Sequence, residues 1–466
     1  MNLERLIMKR QLQILAALLL AAGLSPAAQS VGLEAGVAVM DVTPSGKTVL
    51  DPLKVKALVL RQGKREIALA VCDVAGVTSK QAGEMRKLAS SRTGIPVSHI
   101  CVSATHTHSG GYHPDLTERV AAAIADARRA AKPVTLRAGM IEQQGLSFNR
   151  RFLMRDGTVR FNPGRLEGGA SFDGGHPFQN PDIVRPVGPI DPQVAVLLFG
   201  TASGPPLASL TNFALHTDTT DHRGFSADYP YFYEAALRKE LGASFVSVFA
   251  TGPCGDINHW DVTRPGPQNH YEKFTKPIGE KLAATVLAGI SKLETVPAIS
   301  LDARAQTVAV PIQEDNEMTV QWAREAVANK FKDFPGTAYG QRGFLAGVRA
   351  RSILRREELR KNGPTLALEV QAFRLSDQAA IVTLPGEVFV ELGLAIKKAS
   401  PFATTLVIEL ANASCAYIPT RKAFSEGSYE VVNSVVAPGG GEMLVETAVK
   451  LLKDLAPVQR VEPRRR

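Results

Sequence analysis

Residues 54–77 read KVKALVLRQGKREIALAVCDVAGV, two apolar, β-branched runs on either side of Gln62-Gly63-Lys64. Runs of that length joined by a short glycine-containing turn predict an antiparallel hairpin. A helical stretch over 79–93 follows. Then HICVSATHTHSGG (99–111) opens as a short apolar strand and runs into a polar loop, and 116–131 predicts an Ala-rich amphipathic helix stopped by Pro133. Strand, helix, strand, helix in this order predicts an α/β fold: mixed sheets layered with flanking helices, with the active site at strand-end loops.

Further along, strands are expected at 194–198, 209–215 and 245–250, with a helix at 231–240. Residues 316–359 read as mainly helical, and strands return at 366–373, 379–383 and 405–409. The Gly-, Pro- and Asn-rich stretch 143–190 reads as a long surface excursion, the kind of loop that in compact domains tends to carry function. No internal repeat is visible, which predicts one composite domain over 32–458.

The first residues carry Arg5, Lys9 and Arg10, then an uncharged apolar run over 14–24, then Ser25-Pro26-Ala27-Ala28. Basic start, short apolar middle and small residues predict a signal peptide over 1–28 and an exported protein, periplasmic or secreted. A spanning helix would need about 20 apolar residues. The formal charge is +9. Basic residues gather only at 342–361 and in the 459–466 tail, without interleaved aromatics, which argues against nucleic acid and leaves room for transient contact with an anionic membrane surface. Four cysteines, Cys72, Cys101, Cys254 and Cys415, are too few for a disulfide scaffold in 466 residues. No obligate protein partner is evident.

The chemistry lies where apolar strands give out. His106 and His108 stand two apart at a strand end, so both imidazoles can face one site. His216 ends TNFALH. Asp256, Asn258 and His259 sit in the Gly-rich loop after 245–250. Glu387 follows Pro385-Gly386, where the spacing predicts that its carboxylate opens a helix and meets the helix dipole. Two histidines and a carboxylate around zinc, with one position left for water, would make a hydrolytic site.

These residues resemble the neutral/alkaline non-lysosomal ceramidases. The likeness rests on DVTPSG (41–46), DPLKVKALVL (51–60), TGIPVSHI (93–100), SATHTHSGG (103–111), FNRR (148–151), NFALH (212–216), GDIN (255–258), LPGE (384–387) and AYIPT (416–420), in family order along nearly the whole chain. The resemblance implies zinc held by His106, His216, Glu387 and Tyr417. It implies that His108 faces the substrate amide instead of the metal, with Arg150 and Tyr429 contacting the substrate. Asp256 and Asn258 complete the candidate catalytic set.

The implied reaction is hydrolysis of the N-acyl amide of a ceramide-like or other N-acyl substrate by a zinc-activated water. Hydrolysis of another bond, in an ester or carbohydrate-linked substrate, and a metal-binding recognition module without turnover stay open. In the ceramidases proper the matching loop reads Gly-Asp-Val-Ser-Pro, whereas Asn258 stands at the serine position here. The chain also ends at Arg466, where the family continues into an immunoglobulin-like domain. An apolar pocket would favour a lipid substrate and a polar cleft a soluble one.

Overall fold

The structure, a computed structural model, describes residues 32–163, 180–201, 203–264, 269–333 and 342–457. The expected signal peptide and the 459–466 tail lie outside the described residues. From Leu33 onward the chain forms one compact unit.

The hairpin forms as its sequence predicts. Strands β1 (Glu34–Asp41), β2 (Lys54–Gln62) and β3 (Arg65–Cys72) run antiparallel, and β4 (Ile100–Ala104) pairs parallel with β3. The crossover is the helix Ser79–Thr93. Thr78 caps it, accepting from Gln81 N while the Gln81 side chain returns to the Thr78 backbone, and Gly94 closes it at φ +77°. A reciprocal cap of this kind contributes about 1 kcal/mol.

Among the described residues that unit, a hairpin followed by a helix and a parallel strand, occurs three times. In the second sheet Gln193–Gly200 and Ala208–Phe213 form the hairpin, the helix Tyr229–Leu241 crosses, and Val246–Thr251 pairs parallel with Ala208–Phe213. In the third, Thr365–Ser376 and Ala379–Thr383 form the hairpin, Val390–Ala399 crosses, and Thr404–Ile408 pairs parallel with Ala379–Thr383. The single composite unit therefore contains a structural repeat that its sequence does not display.

The central strands of each of these sheets are buried on both faces, which is why they read as continuous apolar runs instead of alternating. The inner faces meet in one core: Leu58 and Leu69 from the first sheet, Leu197 and Leu210 from the second, Phe373 and Ile381 from the third. The outer faces carry Val59 and Ala70, Val196 and Phe249, Val382 and Val407, covered by their own helices. Burying each such Leu, Ile or Phe stabilises the fold by about 1.5–3 kcal/mol. The consequence for function is geometric: the C-terminal ends of three parallel strand pairs converge.

Two expectations need correction. The 143–190 excursion holds strand segments, Phe148–Asn149, Arg151–Met154, Val159–Phe161 and Ile183–Pro186. Three of them form a small sheet and the first pairs with Ile257–Asn258, so backbone pairing, which composition does not reveal, orders the described part of this segment. Glu387 does not open a helix. It lies in a two-residue strand, Glu387–Val388, paired parallel with Tyr417–Ile418, and the helix begins at Val390.

Candidate metal-binding active site

Each parallel pair gives one residue to a common point and a partner that steadies it. After β4 the chain turns at His106, whose φ of +67° is unusual for a residue with a side chain. Its Nδ1–H donates to the Ala75 carbonyl, just beyond β3, at 2.6 Å. Beyond Ala208–Phe213, His216 Nδ1 donates to the Cys254 carbonyl at 3.2 Å, and Cys254 follows Val246–Thr251. Beyond Ala379–Thr383, Glu387 is the Cα partner of Tyr417, and the two side chains are hydrogen-bonded.

Because carbonyls can only accept, both imidazoles are protonated at Nδ1 and present Nε2 lone pairs inward. Those two Nε2 atoms stand 3.1 Å apart. Glu387 Oε2 lies 3.3 Å from His106 Nε2 and 3.9 Å from His216 Nε2. His108 Nε2 is 3.3 Å from His106 Nε2, and its Nδ1 lies 3.4 Å from Asp218 Oδ1. Two ring nitrogens and a carboxylate aimed at one point call for one positive charge there, a proton or a metal ion. Ligand atoms around a tetrahedral zinc, at about 2.0–2.1 Å each, are themselves about 3.3 Å apart, so the donor set fits such an ion. Outer hydrogen bonds to the far ring nitrogens are the usual support of metal-binding histidines.

The electrostatics agree. Burial pulls the His106 pKa down, but the Glu387 charge overcomes it and raises it to about 9. Burial, and then His106, hold His216 well below the usual imidazole value. The point favours one positive charge over three neutral rings.

The point opens into a cavity of ≈ 590 Å³, lined among others by His108, Arg150, Asn258, Tyr417 and Tyr429. Arg150 is buried. Its Nε donates to Glu430 Oε1 at 2.8 Å and its Nη2 to the Gly255 carbonyl at 2.8 Å, and its guanidinium lies 5.4 Å from the Tyr417 ring centre. Tyr429 stacks on Phe161 with ring centres 4.6 Å apart and hydrogen-bonds to Tyr417. Asn258 Oδ1 accepts from Trp260 N at 2.5 Å.

Asp256 is the candidate that the structure does not bring to the cavity. Its Oδ1 accepts from Val390 N at 2.8 Å, capping a helix, and its Oδ2 from Asn149 Nδ2 at 2.9 Å. Burial raises its carboxyl to about 6. Both oxygens are engaged, so it is a positioning residue for the Arg150 loop and the Val390–Ala399 helix.

Sequence reasoning missed Asp218, Asp221 and His222, which follow His216 in TDTTDHRG and line the cavity. Their signal was present: the same strand-end loop simply continues. Glu430, fully buried beneath Arg150, had no sequence signal apart from adjacency to Tyr429.

The site is thus a buried His-His-carboxylate point beside a cavity to which His108, His216 and Tyr417 contribute. Its fold is shared with ceramidases. A ceramidase complexed with C2 superposes with a TM-score of 0.65 at 19% identity, over 93% of this chain and 77% of that one. A neutral ceramidase from Pseudomonas aeruginosa superposes with a TM-score of 0.65 at 18% identity, over 92% and 76%. Among curated proteins, the Pseudomonas aeruginosa neutral ceramidase is 25% identical over 340 aligned residues, 60% of this chain and 49% of that protein. The chain therefore spans about half the length of the curated relative it matches. No protein-family model matches it. Sequence and fold similarity together support the likeness to the neutral ceramidases read from the motifs.

Proposed function

We propose that this chain is a metal-dependent hydrolase of N-acyl amides, with zinc as the metal that its donor set suits best, acting outside the cytoplasm. The observation that carries the reading is the triangle of His106 Nε2, His216 Nε2 and Glu387 Oε2, joined through His216 to a cavity lined by an arginine and two tyrosines. The similarity to neutral ceramidase supports the choice of an amide bond.

His106, His216 and Glu387 would hold the ion, with the Tyr417 oxygen as a fourth contact. Bound there, zinc supplies Lewis acidity and an activated water at neutral pH. The chain's own residues supply the rest. In the net reaction water adds across the amide: the C–N bond breaks, a C–O bond forms, and a proton passes to the leaving amine.

His108 is the exposed member of the three histidines, with Nδ1 beside Asp218 and Nε2 at the edge of the metal point, 3.3 Å from His106 Nε2, so it can take up a proton there and return it to the amine. Arg150 and Tyr429 stand where negative charge on the former carbonyl oxygen would be stabilised by a fixed cation and a phenol. Arg150 is held by Glu430 and the Gly255 carbonyl, so little reorganisation is needed as the charge develops. Asn258 is a hydrogen-bonding wall residue and offers no hydroxyl nucleophile.

The test is release of free acid from a panel of N-acyl amines, with and without chelator. Turnover that is lost on chelation and restored by zinc supports the proposal. Turnover indifferent to metal, or confined to esters, would overturn it.

A further inference from the structure

Tyr429 stands on a short and unusual piece of backbone. Ser428, the residue before it, holds φ at +81°, a value that a residue with a side chain seldom adopts, and the helical turn that follows is only Tyr429–Val432. Such a conformation persists only where its surroundings fix it.

Two phenylalanines lie against the Tyr429 ring. Phe161 is 4.6 Å from it, centre to centre, with the planes 27° apart, and Phe344 is 6.0 Å away with the planes 22° apart. Near-parallel rings at these separations attract beyond the area they bury.

Phe344 comes from a distant part of the chain, the first turn of the helix Arg342–Arg360. Further along, buried Arg356 fixes that helix. Its Nε and Nη2 donate to the two Asp315 oxygens at 2.6 and 2.8 Å, and its Nη1 donates to the Ser434 carbonyl at 3.0 Å. Ser434 forms a bridge with the backbone of Tyr417 and donates its hydroxyl to the Tyr417 carbonyl at 3.0 Å. One helix therefore reaches the segments of both cavity tyrosines.

We propose that Phe161 and Phe344 are positioning residues for Tyr429, and that the helix Arg342–Arg360 serves the reaction by delivering Phe344 to that ring. The two rings hold the phenol beside the Arg150 guanidinium, which lies 6.0 Å from the Tyr429 ring centre. Neither phenylalanine has a hydrogen-bonding group to offer a substrate, so each acts through the tyrosine. The inference rests on the reading of Tyr429 as a substrate contact in amide hydrolysis.

Phe344→Leu keeps an apolar side chain and removes the ring. With the amide turned over fastest in the panel above, kcat is expected to fall about 10-fold at unchanged KM, and Phe344→Tyr to recover most of that loss. In a Tyr429→Phe background the Leu substitution is expected to change kcat less than about 2-fold, because its effect passes through the phenol. Equal losses in both backgrounds would overturn the proposal, as would a rise in KM at constant kcat.

A second readout needs no substrate: the Tyr429 resonance in protein carrying carbon-13 ring-labelled tyrosine, assigned by its loss in Tyr429→Phe. Phe344→Leu is expected to shift this resonance and to speed the flipping of the ring, and an unmoved resonance would overturn the proposal. Phe161→Leu is expected to give the same pattern and decides the matter if Phe344→Leu does not fold. A protein that turns over no amide would remove the amide reading and leave the resonance to decide the positioning.

Discussion

His106 and His216, 110 positions apart in the chain, meet Nε2 to Nε2 at 3.1 Å, each held from behind by a backbone carbonyl of a neighbouring strand end. The fold holds two ring nitrogens beside the Glu387 carboxylate, a place for one positive charge that a metal ion can take in exchange for the proton on His106. Zinc binding should therefore stabilise the protein by about 2.7 kcal/mol at a hundredfold excess over Kd. Thermal unfolding of chelated protein with zinc added back reads this directly. A Tm rise is expected for the wild type, and none for His216→Ala.

His108 sits beside this pair yet faces the cavity, with a 38% exposed side chain. His108→Ala is expected to keep its zinc and lose about 10²–10⁴ in kcat, the usual worth of a positioned acid–base group. Asp218→Asn should lose less, because it acts through His108. Loss of zinc from His108→Ala would instead make it a ligand.

Gly255 lets its loop run against the Glu387 strand, for a Cβ there would come within 2.5 Å of the Glu387 carbonyl oxygen. Gly255→Ala is therefore expected to displace Glu387 by shifting its backbone. Weakened zinc affinity, read by competition with a chromophoric chelator, is the expected result, with secondary structure kept by circular dichroism.

Arg150 and Glu430 form a buried pair at 2.8 Å, with the Glu430 side chain fully enclosed. Arg150→Met leaves that carboxylate with Arg151 at 3.4 Å as its remaining cation. Breaking such a pair costs about 3–5 kcal/mol. Denaturant unfolding should show the loss, and Arg150→Met with Glu430→Gln should recover part of the stability but none of the activity.

Asp256 carries a pH signature. Burial raises its folded pKa to about 6, above an unfolded value near 3.9. Its contribution is therefore fully present below about pH 4 and lost as pH rises through 6, by an amount on the order of 2–3 kcal/mol. Asp256→Asn should be less stable than wild type at pH 4, since Asn149 Nδ2 loses an acceptor, and the gap should narrow by pH 8. Denaturation midpoints at the two pH values read the difference.

The fold was legible where sequence pattern and local structure coincide. The β2–β3 hairpin and the helix Ser79–Thr93 stand where their apolar runs and turn residues place them. The strand Ile299–Pro311 was not legible, because six of its residues are exposed and its charges blur the period. His106, His216 and Glu387 showed themselves as ligand-type residues after apolar strands, whereas Tyr417 and Tyr429 came into view only through the resemblance, since nothing local separates them from core tyrosines. Glu387 was misplaced because a Pro-Gly turn before a carboxylate also describes a helix start. Pairing with Tyr417, 30 residues away, decides otherwise, and a single sequence carries no record of such pairing. The threefold repeat is hidden for a similar reason: backbone topology repeats while side chains differ.

The most direct test of the account is elemental analysis of the purified wild-type protein beside Glu387→Ala and His106→Ala. One equivalent of zinc in the wild type, and little in either variant, is the expected result. A wild-type protein that binds no metal when zinc is supplied, or variants that bind it as well as the wild type, would contradict the claim that three strand-end loops build a metal site.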